Sequence, residues 1–194
     1  MATRKPKSRC PWVGEKDYMI RYHDEEWGQE VHDDRIHFEF LILEGAQAGL
    51  SWDTILRKRE NYRKAFANFD PKKVARFDSK KATLLMKNEG IIRNRLKIKA
   101  AITNARAFLE VQKEFGTFDR YLWSFVQNKP RILHPRNQGD FRATSKESDL
   151  LSKDLKKRGF KFVGSTIMYA HMQAVGLIVE HTVTCFRYSG TVYS

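Results

Sequence analysis

The chain has 194 residues, 41% hydrophobic and 12% aromatic, enough to bury the core of one domain and too apolar for a disordered chain. Lys and Arg outnumber Asp and Glu by 36 to 23, a net charge of +13. Such a balance points to phosphate-bearing partners, DNA or RNA first, against the blander reading of a solvated basic surface. Residues 1–9 carry Arg4, Lys5, Lys7 and Arg9 without an apolar run, so they read as a flexible basic arm, not a secretory signal, and residues 10–194 as a single domain.

Helix signals dominate in chain order. Asp33 and Asp34 can cap a helix through Ile36, Phe38, Phe40, Leu41 and Leu43. Asp70 followed by Pro71 is a cap plus a proline at the first helical position. Ser79 precedes a short helix through Leu84, Leu85 and Met86. A long helix is predicted from about Asn94 to Glu114, with Ile98, Ala101, Ile102, Ala105 and Leu109 at helical spacing. The segment Asn128 to Ala143, with Pro130 and Pro135, reads as a polar loop. Thr144 and Glu147 form a capping-box pattern before a helix through Leu150, Leu151 and Leu155, which Gly159 can end. Phe162 to Val179 carries no formal charge. It holds Ser165, Thr166, His171 and Gln173, so a buried helix from Gly164 and Ser165 to Gly176 is expected in place of a membrane span. No stretch alternates for long as a half-buried strand. The expectation is an all-α, cytoplasmic protein.

Only two cysteines occur, and each has a histidine in its own terminal segment: Cys10 with His23, and Cys185 with His181. Two thiols and two imidazoles suit a closed tetrahedral Zn²⁺ site. His181 and Cys185 are four apart and share a face on a helix or its frayed end. Such a site would clip the front of the chain to its back. One disulfide, or two unrelated buried thiols, also fits the count, although a disulfide leaves both histidines unexplained.

Glu44 follows the apolar run Phe38 to Leu43 and precedes Gly45-Ala46-Gln47-Ala48-Gly49-Leu50-Ser51-Trp52. A carboxylate at the edge of a core run is either paired or working, or else it sits on a wet helix face. Trp12, Tyr18, Tyr22, Trp27 and Trp52 lie near it in sequence. Flat rings around a carboxylate would suit a cationic planar base, and core packing is the alternative for each ring. Asn88-Glu89-Gly90-Ile91-Ile92-Arg93-Asn94-Arg95-Leu96-Lys97 is a glycine-bearing turn entering a basic helix, a pattern that grips a DNA backbone, though any capped basic helix looks the same. Lys153 to Lys161 is a second basic run, either a phosphate contact or a solvated face.

Taken together, these residues resemble the type I 3-methyladenine DNA glycosylases, bacterial base-excision enzymes. The resemblance runs from about Cys10 to Cys185. It is carried by Arg9-Cys10-Pro11-Trp12-Val13, Tyr22-His23-Asp24-Glu25-Glu26-Trp27-Gly28, Leu43 to Trp52, Gly90-Ile91-Ile92-Arg93-Asn94-Arg95 and Leu155 to Gly164. It implies an all-α helix-hairpin-helix glycosylase fold in two helical lobes, with a structural zinc at Cys10, His23, His181 and Cys185 joining the termini. It implies a base pocket of Tyr22, Trp52 and Glu44, with Trp27 and Trp12 close by and the base lying between Trp52 and Tyr22. Glu44 is then the candidate catalytic group, acting mainly by recognising the base. Leu50, beside Gly49, would probe the DNA stack, and Gly90, Ile92, Arg93, Arg95 and Lys97 would meet the DNA backbone. The implied activity is monofunctional release of 3-methyladenine from alkylated double-stranded DNA by a monomer. Met19 departs from the family pattern, standing where some members carry an aromatic residue at the pocket edge. A zinc-stapled lesion-binding module without catalysis, or a basic RNA-binding protein, would share the charge.

Overall fold

The computed structural model describes residues 7–189, and among these nine α-helices form in the order α1 (Asp17–Glu25), α2 (Asp34–Gln47), α3 (Trp52–Ala65), α4 (Pro71–Val74), α5 (Ser79–Met86), α6 (Arg95–Phe115), α7 (Phe118–Ser124), α8 (Lys146–Lys157) and α9 (Ser165–Ala174). Two-residue strands β1 (Arg131–Ile132) and β2 (Ile178–Val179) pair in parallel, Arg131 beside Ile178 and Ile132 beside Val179. No helix among the described residues is long and apolar enough to cross a membrane.

The caps explain where the helices start. Asp33 accepts from the Arg35 and Ile36 amides and so opens α2. Asp34 does different work: its carboxylate accepts from the amides of Phe118 and Asp119 and from Gln112, which ties the start of α2 to α6 and α7. Asp70 and Pro71 open α4 as expected. Asp78 caps α5, and Ser79 is its first residue. One expected cap shifts by one residue: Ser145, not Thr144, caps α8, and Ser145 and Ser148 bond reciprocally through amide and hydroxyl. α6 begins about where expected, and Asn94 caps it.

α2 is buried on nearly every face from His37 to Ala46 and packs on α3, α6, α7 and α9. A helix surrounded in this way needs apolar or internally paired side chains all round. In its buried middle Glu39 receives Arg59 Nε at 2.5 Å and Arg63 Nη2 at 2.8 Å from α3. Arg59 also reaches Glu26, at the end of α1, at 2.6 Å, so one buried guanidinium ties α1, α2 and α3 together. Removing either partner of such a pair strands a buried charge, which makes it a strong constraint on packing.

Three helices have no counterpart in the sequence reading. α1 is short and polar. α3 buries Ile55, Arg59 and Tyr62 at helical spacing, and the charged Arg59 hides the apolar rhythm. α7 is only seven residues long. In α6, Phe108 takes a buried place and Leu109 is half-buried. The polar loop over 128–143 contains β1, too short to show alternation. The uncharged stretch forms the buried α9 and then β2, so it is core, as expected. Of the basic arm, residues 1–6 lie outside the described residues. Ser8 accepts from the Phe186 amide, and Arg9 makes a forked contact with Asp24.

Candidate active site and metal centre

The last turns of α2 carry Glu44 to a cavity of about 230 Å³. Trp12, Tyr22, Trp27 and Trp52 supply its aromatic wall, and Phe141 and Ala170 lie across from them. Gln173, Arg142 and Gln138 bring polar atoms to its rim. Glu44 is 4% exposed, and no hydrogen bond or ion pair reaches it among the described residues. The wet-face reading of Glu44 is therefore set aside. Burial alone pushes its carboxyl up from 4.5 to about 8. The Trp52 indole N–H is likewise buried without a partner among the described residues. Burial, followed by the nearby Glu44, pushes the Tyr22 phenol well above its ordinary value, so it stays neutral.

The rings do not leave a slot where one was expected. Tyr22 and Trp52 lie 5.3 Å apart between centroids, tilted by 48°. A base between two faces needs them about 7 Å apart, two van der Waals separations. Both rings line the cavity together with Trp12, Trp27 and Gln173. Trp12 and Trp27 meet edge to face at 4.9 Å. Met19 is buried and does not line the cavity. A larger cavity, about 310 Å³, lies between α5 and α6, and neither a carboxylate nor an aromatic ring lines it.

Beyond Glu44, α2 ends and Gly49 turns the chain with φ 77, a conformation that disfavours any residue with a side chain. Leu50 then projects into solvent, 42% exposed. Ser51 caps α3 and so starts it just after this turn. The Lys97 ammonium, from the first turn of α6, donates to the Ala46 and Ala48 carbonyls at 2.8 and 2.7 Å. It thus holds the end of α2 against α6.

The turn between α5 and α6 brings Gly90, Ile92, Arg93 and Arg95 together. A Cβ at Gly90 would meet Asn61 at 2.9 Å, so only glycine lets this turn lie on α3. The Gly90 amide donates to Asn88 Oδ1, and the Ile92 amide to the Tyr62 hydroxyl. Those donors are engaged within the protein. Arg93, paired at 3.3 Å with Glu89, and Arg95 are exposed cations on the same turn. In the second basic run, Arg158 is taken up by Glu114 and Asp154.

At the opposite edge of the aromatic wall, Cys10, His23, His181 and Cys185 converge, all four buried, with one ligand atom from each lying within 4.8 Å of the others. Both cysteines are free thiols. Cys10 Sγ lies 3.6 Å from His181 Nδ1, and Cys185 Sγ lies 3.7 Å from the same nitrogen and 3.5 Å from His23 Nε2. Tetrahedral Zn–S and Zn–N bonds imply S···N separations of about 3.5 Å. The Thr182 and Arg187 amides point at the two sulfurs, at 3.4 Å each. His23 Nδ1 meets Asp24 at 2.8 Å, which leaves Nε2 as the ligating atom, and Arg9 holds Asp24 in turn. Burial lowers the pKa of both imidazoles, His181 to about 4, keeping them in the neutral form that binds metal. Trp27 packs on His181 at 4.7 Å, so the metal-type cluster buttresses the aromatic wall.

The structure brings Tyr22, Trp52, Trp27, Trp12 and Glu44 into one cavity, and the four metal-type residues into one cluster. Gln173, Phe141 and Arg142 also line the cavity, and the sequence carries no motif that marks them for it.

The whole defines a class: a helical domain with an aromatic, carboxylate-bearing cavity beside a buried Cys/His cluster. The methyladenine glycosylase family matches residues 12–188, and the chain belongs to that family. It is 48% identical over 182 residues to DNA-3-methyladenine glycosylase 1 of Escherichia coli (strain K12), covering 94% of this chain and 97% of that relative. It is 46% identical over 178 residues to the DNA-3-methyladenine glycosylase of Haemophilus influenzae (strain ATCC 51907 / DSM 11121 / KW20 / Rd), covering 92% and 96%. A crystal structure of a 3-methyladenine DNA glycosylase I superposes with a TM-score of 0.91 at 47% identity, over 93% of this chain and all of that one.

Proposed function

We propose that this protein hydrolyses the N-glycosidic bond of 3-methyladenine in alkylated double-stranded DNA, leaving an abasic site. The observation that carries the reading is Glu44, an uncompensated buried carboxyl in an aromatic cavity of a methyladenine glycosylase family member. Methylation at the ring nitrogen makes the nucleotide a fixed cation. A cation entering the cavity supplies the counter-charge that Glu44 lacks, and the ring faces add cation–π attraction. Glu44 then ionises and accepts a hydrogen bond from the amine edge. Neutral adenine brings no charge, so it leaves Glu44 protonated and gains less.

The lesion must first leave the stack, at a cost of a few kcal/mol. We assign the exposed Leu50 to the space it vacates, and the cations Arg93 and Arg95 to the backbone phosphates, as in a helix-hairpin-helix grip. Inside the cavity the base lies on the Tyr22 and Trp52 side, with Trp12 and Trp27 around it. Water adds to the sugar C1′ as the C1′–N bond breaks. The bonding pair neutralises the departing base, and the water's proton goes to solvent. Glu44 acts by holding the base, not as a general base.

Cys10, His23, His181 and Cys185 would hold one Zn²⁺, which supplies a structural clip between the chain's two ends and no chemistry of its own. One cavity and one DNA footprint suffice for a monomer working on DNA in the cytoplasm. The test is chromatography of free bases released from methylated duplex DNA. Release of 3-methyladenine with 7-methylguanine retained supports the enzyme. Duplex binding by folded protein without base release would leave a lesion-binding module instead.

A further inference from the structure

Behind the cavity sits Glu180, 1% exposed, just before the His181 end of the chain. It does not line the cavity, yet it holds two parts that do. Its Oε2 accepts from Gln173 Nε2 at 2.6 Å and from the Tyr169 hydroxyl at 2.9 Å, and its Oε1 faces the Arg142 amide at 3.4 Å. Gln173 belongs to the last turn of α9, and Arg142 to the segment across the cavity mouth.

An amide side chain has one donor end and one acceptor end, and its neighbours decide which faces where. A carboxylate only accepts, so Glu180 takes the nitrogen of Gln173. The Gln173 carbonyl Oε1 is then the polar atom left for the cavity, and no protein donor meets it among the described residues. Gln173 and Glu44 line the same cavity, so the amide orientation decides whether a second acceptor joins Glu44 there.

We propose that Glu180 is a positioning residue for base selection: it fixes Gln173 Oε1 as an acceptor toward the cavity, where, with Glu44, it favours a purine bearing an exocyclic amine over one bearing a carbonyl. The proposal rests on the cavity being the base pocket. The adenine amine offers two N–H donors, one for each acceptor. Guanine presents a carbonyl oxygen at that edge, and two acceptors facing an oxygen repel it. Glu180→Gln keeps the size of the side chain but adds a donor, which lets the Gln173 amide turn its nitrogen to the cavity.

The experiment measures release of 3-methyladenine and 3-methylguanine from methylated duplex DNA by the wild type, Glu180→Gln, Gln173→Met and the double variant. Circular dichroism checks the fold of each. A lost hydrogen bond to a charged base lowers release by about tenfold or more. Glu180→Gln and Gln173→Met are expected to show that loss for 3-methyladenine, with the ratio of 3-methylguanine to 3-methyladenine raised. The double variant should be no worse than Gln173→Met, because Glu180 acts through Gln173. A purely structural role would slow both bases alike. An unchanged product ratio in either single variant, or losses that multiply in the double, overturns the proposal. Gln173→Met leaves Glu180 its bonds from the Tyr169 hydroxyl and the Arg142 amide, so it remains informative should Glu180→Gln fold poorly. Quenching of tryptophan fluorescence by free 3-methyladenine reads the same contact without the chemistry. A wild type that releases no base, yet binds the free base in a Gln173-dependent way, defeats the proposed activity and leaves the amide assignment standing. Gln173-independent binding defeats the assignment.

Discussion

Glu44→Gln should stabilise this protein and disable it at once, and pH separates the two effects. Burial raises the folded-state carboxyl from 4.5 to about 8. Between those values the folded protein keeps a proton that the unfolded chain has released. Stability therefore falls as pH rises through the window and levels off above about 8. The slope is about 1.4 kcal/mol per pH unit. From pH 6 to pH 8 the wild type loses roughly 2–3 kcal/mol that Glu44→Gln does not lose. Urea unfolding of both proteins at pH 6, 7 and 8, with zinc held constant, measures the difference. A gap that stays flat across that range refutes burial as the source of the raised carboxyl. The functional arm runs oppositely. The wild type gains base release as pH rises toward 8 and more Glu44 ionises, whereas Glu44→Gln releases 3-methyladenine at least about tenfold more slowly and without that rise. Wild-type rates from the variant would remove Glu44 from the mechanism.

Cys185→Ser should lower bound zinc and the unfolding temperature before it alters base release, and unchanged metal content by elemental analysis would refute the clip. Lys97→Met removes two bonds to the end of α2 and should cost about 1–3 kcal/mol of stability by denaturant unfolding while leaving the salt dependence of DNA binding unchanged. Arg95→Ala should instead reduce that salt slope by about one, so a reduced slope in Lys97→Met would put Lys97 on a phosphate. His171 is buried with neither ring nitrogen bonded among the described residues, and burial, then His37, lowers its pKa to about 3. Below pH 6.5 the unfolded chain takes up a proton that folded His171 refuses, so wild-type stability falls as pH drops. His171→Phe should resist that fall by about 1.4 kcal/mol per pH unit, and parallel pH profiles for the two proteins would count against it.

What could be read directly from the chain was local or compositional. Net charge needs only counting. The caps at Asp33 and Asp70 act within three residues, so their bonds follow from spacing. Cys10, His23, His181 and Cys185 stand out because cysteine is scarce here and each cysteine shares its terminal segment with a histidine. Their convergence within 4.8 Å matches the reading that the ends meet. The aromatic residues around Glu44 cluster in sequence, and the turn at Gly90 is a local motif.

Tertiary structure decided whatever depends on partners far along the chain. Whether Glu44 was wet or buried turned on the α1, α3 and α9 residues around it, which helix periodicity does not report. α3 was hidden because Arg59 holds a core position, and only its partners Glu26 and Glu39 make that affordable in free energy. Lys97 looked like one cation of a basic hairpin, and its bonds to the Ala46 and Ala48 carbonyls, about fifty residues away, are contacts that sequence does not show. Gln173 gains its orientation from Glu180 through a bond between side chains on different elements. Sequence by itself determined which residues could carry charge, cap a helix or bind a metal, because those are properties of a residue and its nearest neighbours. Only the fold decided which of them are desolvated and which are paired, because both depend on what the rest of the chain packs against them.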